Sequence, residues 1–171
     1  ARAGRRVILT GGHAWIGGQF TSQAVPPDEH GWIEQFGCTA SYRTFREGVR
    51  DYYRRHYPLL PTVAANPRLN PGNGWVSPLC HEPRVALAVL ESLLAPHVSS
   101  GAILILRRHR LRAATLAGPD QIAAVTVESL DTGTATQIRA TTFLDATENG
   151  DLLPLAGVEH VTGSESRAQT G

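Results

Sequence analysis

The 171-residue sequence contains no lysine, so all 16 of its basic residues are arginines. This absence excludes a Walker-type phosphate-binding lysine, a Schiff-base lysine and a lysine general base. Methionine is absent too, and we therefore expect the chain to be a piece of a longer protein. No segment approaches the ~18 consecutive apolar residues of a membrane helix, so we expect no membrane partner.

Cysteine occurs only at positions 38 and 80, and neither residue belongs to a C-x-x-C pair. Two cysteines do not make the disulfide framework of a small secreted domain, which favours a cytoplasmic location. A single bridge between Cys38 and Cys80 stays open, because sequence does not give their separation in space. The net charge of +1 offers no strong field for nucleic acid, so we expect no nucleic-acid partner.

The apolar run at 5–10 predicts a short buried strand that leads into a glycine-rich loop at 11–18. Glycine lets a backbone approach a phosphate or a flat ring closely, and its amide can bind anions. The spacing of Gly12 and Gly17 is that of a P-loop, but Gly18-Gln19 stands where Lys-Ser/Thr is required. The loop is also not G-x-G-x-x-G. By itself it is either a tight turn or a ligand site.

Two helices are expected between this loop and the middle of the chain. Helical spacing predicts the first at 41–57, capped by Ser41 and stopped by Pro58. The second is expected to span 83–96, ending at its second proline. The segment 59–78 is rich in Pro, Asn and Gly and predicts a loop of about 20 residues. The apolar stripe of the second helix is expected in the core: Val85, Val89, Leu90, Leu93 and Leu94.

The second half of the chain changes to short β-forming segments separated by turns at 118–120 and 131–133. They predict an antiparallel β-meander followed by a buried core strand at 142–147. The expected strands are 103–106, 111–116, 122–130 and 137–144. The length predicts a single domain over 1–171. It would contain a helical and loop excursion at 20–100, then the β-meander and final core strand at 102–147.

Several polar groups have both a chemical and a structural interpretation. The carboxylates at 145, 148 and 151 are either an acid–base set or the caps of turns. Cys80 is either a redox thiol or a structural cysteine. Alternatively, Cys80-His81-Glu82 provides metal ligands together with His30 or His56. The lack of a second cysteine pair argues against structural zinc, and we expect no metal. Arginines 108, 110 and 112 either hold a phosphate or form a solvated strand face. Trp15 and Trp32 either line a cleft or pack over the loop.

Three stretches of the sequence resemble a known family. They are 15–23 (Trp-Ile-Gly-Gly-Gln-Phe-Thr-Ser-Gln), 79–85 (Leu-Cys-His-Glu-Pro-Arg-Val) and 143–157, which begins Phe-Leu-Asp-Ala-Thr-Glu-Asn-Gly-Asp. All three are similar to FAD-dependent oxidoreductases of the glutathione-reductase-like superfamily. The resemblance implies an α/β, Rossmann-like FAD-binding fold with an inserted antiparallel β-meander. It also implies that the fold is incomplete here, because the chain begins late in the helix that follows the family's G-x-G-x-x-G loop.

The resemblance also assigns cofactor-binding positions. Residues 7–10 match the family's second strand, which ends in a Glu that binds the adenosine ribose, and Thr10 stands there without a carboxylate. Glu148 likewise replaces the Gly of the family's Ala-Thr-Gly motif. The residues implied to bind FAD are Thr10, Gly17, Gly18, Gln19, Thr21, Leu111, Ala146, Thr147, Gly150 and Asp151.

The implied function is FAD-dependent oxidoreduction, in which a small-molecule substrate delivers hydride to flavin N5. No catalytic side chain is assigned, because this transfer requires no particular amino-acid base. The alternative is a non-catalytic fragment or binding module with the same fold, since the pyrophosphate loop is missing. A carbohydrate-processing lyase or hydrolase built on the carboxylates fits poorly, because no paired-carboxylate spacing supports it.

Overall fold

The computed structural model of the chain describes residues 1–164 and 167–170, which divide between two units, Ala1–Arg107 and Arg108–Gly171. In the first unit, β1 (Val7–Gly11) pairs in parallel with β2 (Ile103–Arg107). Parallel strands cannot be joined by a tight turn, so the connection crosses over and carries the helices. With the antiparallel sheet of the second unit, this makes the chain an α/β protein. Whether the units form one flavin-binding domain stays a prediction.

Helix α1 spans Ala40–His56, close to the expected range, but its cap differs from the expected one. The Thr39 hydroxyl accepts a hydrogen bond from the Tyr42 amide at 3.2 Å, so the cap is Thr39 and the assignment to Ser41 was wrong. Ser41 lies inside the first turn instead. The helix ends as expected, because the residue before Pro58 is driven into an extended conformation, and Tyr57 has it.

Helix α3 spans Pro83–Ser99 and runs past Pro96, so the expected end at this proline was wrong. A proline ring removes one amide donor and crowds the carbonyl four residues earlier, but it does not prevent the following residues from bonding back. The amide of Ser100 donates to the Pro96 carbonyl at 3.1 Å. The loop expected at 59–78 is interrupted by a single short helix, α2 (Pro61–Ala64).

The core of the first unit lies between α1 and α3. Val85 and Val89 are buried as expected, whereas Leu93 is exposed and Leu90 is only partly buried, so the apolar stripe of α3 is core only in its first half. Burying each large apolar side chain stabilises the fold by roughly 1.5–3 kcal/mol. The buried core cluster comprises Phe45, Val49, Tyr53, Leu69, Leu79, Val85, Ala86 and Val89.

Two arginines of α1 are buried one turn apart, which the sequence did not lead us to expect. Arg46 is 1% exposed and Arg50 is 5% exposed. The Arg46 guanidinium donates to both oxygens of Glu29, at 2.8 and 3.0 Å, and to Glu34 at 2.8 Å. Arg50 donates to both Glu34 oxygens and to the Leu69 carbonyl. Because a buried charge is costly unless it is paired, these contacts fix the segment from Glu29 to Glu34 against α1.

The second unit contains three of the four expected meander strands, as an antiparallel sheet in the order β3-β4-β5, whereas the expected strand at 103–106 is β2 and pairs in parallel with β1. Its strands are β3 (His109–Gly118), β4 (Gln121–Ser129) and β5 (Ala135–Arg139). The hairpin between β3 and β4 turns at Pro119-Asp120, where the sequence placed it. A short helix, α4 (Leu152–Leu155), contacts β3, and α5 (Arg167–Thr170) follows.

Two expectations about buried strands were wrong. Residues 142–147 are not a strand, and Leu144 is 88% exposed. Hydrogen bonds from the Asp145 side chain to nearby backbone groups hold this segment as a loop, and such local bonds compete with strand pairing. Strand β1 forms but is exposed along its whole length. Within the described part of the first unit its sheet has two strands, which leaves little to cover its apolar side chains.

We expect Glu34→Gln to lower the free energy of unfolding at pH 7 by about 1–3 kcal/mol, because it leaves two buried arginines short of a counter-charge. Burial raises the pKa of Glu34, but the hydrogen bond and charge of Arg50 and the charge of Arg46 outweigh it and lower the pKa below 4.5. The stabilisation is therefore complete above about pH 4.5 and is lost as the pH falls through this lowered pKa.

Urea titrations of both proteins at pH 7 and at acid pH measure this effect, with Glu47→Gln, an exposed carboxylate of α1, as the control. A constant difference between Glu34→Gln and the original chain at all pH values would contradict it.

Candidate functional site

The glycine-rich loop leaves β1 at the carboxyl edge of the parallel strand pair. Gly11, the last residue of β1, lies opposite Arg107, the last residue of β2. In α/β sheets, ligands bind outside the carboxyl ends of parallel strands. A Cβ placed on Gly11 or on Gly12 would meet no atom within 4 Å, so the backbone here is open to close approach. Thr10, an exposed residue of β1, precedes them.

Gly17 and Gly18 both have positive φ values, 106° and 49°, and begin a single 3-10 turn, Gly18–Phe20. At Gly17 a Cβ would lie 2.6 Å from Leu90 Cδ1 and 2.9 Å from Thr21 Cγ2, so glycine is required by backbone conformation and by space. Thr21 is buried, and its hydroxyl donates to the Ile16 carbonyl at 2.6 Å. Thr21 therefore closes the loop from inside rather than presenting its hydroxyl outward.

Aromatic contacts seat this loop on the helices. The Phe20 ring stacks on Phe45 of α1, with ring centroids 5.4 Å apart. The Arg84 guanidinium of α3 lies 5.9 Å from the centroid of the Trp15 ring. Trp15 thus packs against a cation at the start of α3. These contacts and the fit of Gly17 against Leu90 hold the loop on the surface of the helix pair.

Gln19 lies at the edge of a groove of about 540 Å³. Its amide nitrogen donates to the Pro26 carbonyl at 3.2 Å, which ties the glycine loop to the segment that begins at Val25. The amide of Val25 in turn donates to the Gln19 carbonyl at 3.0 Å. The groove is lined by Gln19, Gln23, Val25, Pro26, Pro27, Asp28 and Val76.

The second unit holds the other candidate positions, four of them in one loop. The Thr147 hydroxyl donates to Asp145 at 2.7 Å and accepts from the Asp151 amide at 2.8 Å. Asp145 also accepts from the amide of Leu152, the first residue of α4. Gly150 has φ +67°, and Ala146 is exposed. The loop is thus held by its own side chains, and Asp145 serves as a turn cap rather than as a member of an acid–base set.

Burial raises the pKa of Asp145, but hydrogen bonds from the Thr147 hydroxyl and from the amides of Thr147 and Leu152 favour the carboxylate and together lower the pKa from its ordinary value.

Leu111, the remaining candidate, lies in β3 and pairs with Val127 of β4. The arginines of this region are engaged in ion pairs, which supports the interpretation as a solvated strand face. Arg108 donates to Asp131 at 2.5 Å, and Arg112 donates to Glu128.

The Cys80-His81-Glu82 segment is not part of a cluster of three or more metal-ligating side chains in the described part of the chain. Cys38 and Cys80 are both free thiols, so the bridge left open by the sequence is absent. Within residues 1–164 and 167–170, no group of three or more His, Cys, Asp or Glu side chains could hold a metal ion. Burial lowers the pKa of His81, and its buried Nε2 has no hydrogen-bond partner in the described part of the chain.

The carboxylate of the next residue, Glu82, accepts hydrogen bonds from Tyr53 and Tyr57. Burial is the main cause that raises the pKa of Tyr53 to about 12, so this phenol stays protonated at neutral pH.

Sequence reasoning missed the groove and the ion pairs behind it. Asp28, a charged residue directly after Pro26 and Pro27, was a visible signal for the groove. Arg46 and Arg50 have the i, i+4 spacing of one helix face, and each immediately follows an apolar residue of α1, Phe45 or Val49, which could have indicated burial. No sequence pattern pointed to Glu29 or Glu34 as their partners, because these lie outside any periodic element.

One comparison with known proteins identifies a family. The family model described as FAD dependent oxidoreductase matches residues 1–171, the whole chain. No curated protein matches the sequence. In the described part of the chain, none of the helices combines the length and apolar character that crossing a membrane requires.

We expect Gly17→Ala to destabilise the first unit by about 1–3 kcal/mol, because alanine is strained at this positive φ and its Cβ collides with Leu90. Gly12→Ala is the matched control, since Gly12 has open space and lacks the left-handed conformation. Urea unfolding followed by tryptophan fluorescence gives both values. Equal stability of the two variants would contradict the packing of Gly17 against α3.

We expect Asp145→Ala to open the loop around Thr147, because the aspartate accepts hydrogen bonds from Thr147 and Leu152. Limited proteolysis should cut this loop several-fold faster than in the original chain, whereas Asp120→Ala should leave the rate unchanged. Since the pKa of Asp145 is lowered from 3.8, the protection should persist above that pH and disappear as the pH falls through the lowered value.

Proposed function

This chain belongs to the FAD dependent oxidoreductase family, its cofactor is FAD, and on that premise we propose that it takes part in oxidation of a small-molecule substrate by hydride transfer to flavin N5. When bound, FAD would supply the redox chemistry. The protein contributes binding and orientation. The observation that carries the proposal is the open glycine backbone at the carboxyl end of β1, at the edge of a parallel strand pair.

The chemistry of the candidate loop fits such a cofactor. The Thr21 hydroxyl is engaged internally with the Ile16 carbonyl, and the open positions Gly11 and Gly12 offer backbone to a ligand. Backbone amides of glycine-rich loops are suited to phosphate groups and to the flat face of a ring. We infer that Gly11 and Gly12 admit FAD closely. Thr10, at the position where the resemblance puts the ribose contact, offers a hydroxyl instead of a carboxylate.

The parallel pairing of β1 and β2 supports a Rossmann-like arrangement, because two parallel strands joined by a helical crossover are the unit from which such folds are built. Gly17, Gly18 and Thr21 shape the loop in this proposal, and Gln19 links it to the neighbouring groove. Leu111, Ala146, Thr147, Gly150 and Asp151 keep the cofactor role that the family resemblance implies, as predictions.

The second candidate function is a binding module with the same fold and no catalytic activity. Its support is Thr10, which stands where the family has a glutamate. The two functions differ in what a loaded protein does. A binding module retains FAD, but no substrate reduces the bound FAD. The enzyme also retains FAD and transfers electrons from its substrate to the cofactor.

We expect Gly12→Val to weaken FAD binding at least about tenfold, because two methyl groups would stand where the ligand approaches the backbone, while stability stays unchanged. Gly31→Val is the matched control, since Gly31 also has open space and lacks the left-handed conformation. Flavin absorbance near 450 nm after dialysis, and the quenching of flavin fluorescence on titration, measure affinity. Equal affinity of both variants would place FAD away from this loop, and absence of binding by the original chain would overturn the proposal.

A further inference from the structure

The groove beside Gln19 carries a single charge. Among the described residues that line it, Asp28 is the one charged side chain, and Val25, Pro26, Pro27 and Val76 supply apolar surface. Its volume of about 540 Å³ lies in the range of small-molecule sites.

The Asp28 carboxylate is exposed, and within residues 1–164 and 167–170 it has no hydrogen bond or ion pair. The neighbouring acid behaves differently. Glu29 is buried and is neutralised by Arg46, which it bonds through both carboxylate oxygens. Arg46 is therefore already committed to Glu29, and the charge of Asp28 stays available at the groove.

We propose that this groove binds a small organic cation, an ammonium group carried on an apolar body, and that Asp28 holds the positive charge. The inference rests on the proposed function, because it makes this cation the substrate of the oxidoreductase. Loss of one ammonium proton to water and of hydride from the adjacent C–H bond to FAD would convert the ammonium ion into an iminium ion. An unpaired carboxylate attracts a cation and repels an anion, so the charge selects the class of ligand. The valines and prolines provide the surface for the apolar body. Trp75, next to Val76 in the chain, is 95% exposed, and an indole ring attracts cations as well.

The position of the groove fits a substrate site. Gln19 lines it and directly follows the glycine loop proposed to meet FAD, and the side-chain amide of Gln19 donates to the carbonyl of Pro26, another lining residue. The segment that carries Asp28 is fixed from behind, since Glu29 is locked to α1 by Arg46. A ligand in this groove would therefore lie next to the cofactor loop against a wall that is already ordered.

Calorimetric titration of the chain with three amines of increasing apolar size, butylamine, benzylamine and tryptamine, tests the proposal at neutral pH. We expect saturable binding that strengthens with apolar size. Benzyl alcohol, which keeps the ring and loses the charge, should bind at least about fivefold more weakly than benzylamine. Asp28→Asn should bind benzylamine at least about fivefold more weakly than the original chain does. Asp120→Asn, an exposed aspartate in the β3–β4 turn, should bind it like the original chain.

Several results would overturn the proposal: no saturable binding of any amine, equal binding of benzyl alcohol and benzylamine, or equal affinity of Asp28→Asn and Asp120→Asn. Because the titration needs no electron transfer, its outcome is separate from that of FAD binding measured by absorbance. Flavin retention without amine binding would remove the substrate class and leave the oxidoreductase standing. Amine binding that depends on Asp28, without flavin retention, would remove the oxidoreductase function and leave the cation site standing.

Discussion

The pairing of two buried arginines with two glutamates is the interaction on which the first unit depends. Arg46 and Arg50 project from α1 into the protein, and their charges can be buried only because Glu29 and Glu34 neutralise them. The glutamates belong to an irregular segment with little regular structure of its own. Ion pairing therefore gives this segment a fixed course along the helix, and the Pro26-to-Asp28 wall of the groove follows from it.

In the glycine loop, a second constraint is that side chains fix the backbone conformation. Thr21 bonds to Ile16 inside the loop, and Phe20 stacks on α1. In the second unit, Asp145 and Thr147 stabilise their own loop in the same way. In the proposed function, these side chains shape their loops, and the open glycine backbone at Gly11 and Gly12 is the surface that the cofactor approaches.

How far the sequence could be trusted depended on the type of signal. Helices α1 and α3 and the β-meander were predictable, because apolar periodicity and turn residues act over a few neighbouring positions. The ends of the helices were less predictable. Thr39 caps α1 in place of the expected Ser41, and α3 continues past Pro96. The segment 142–147 has the composition of a buried strand, yet it is a loop, because a strand also needs a partner strand and Asp145 offered local hydrogen bonds instead.

The sequence by itself determined the helices, the meander and, through its resemblance, the family and FAD as cofactor. Only the tertiary structure decided that Arg46 and Arg50 are buried, and that Glu29 and Glu34 are their partners. It also decided that Asp28 stands without a partner beside an apolar groove in the described chain. The physical reason is that periodicity and turn chemistry are local, whereas burial and charge pairing depend on which distant segments the fold brings together.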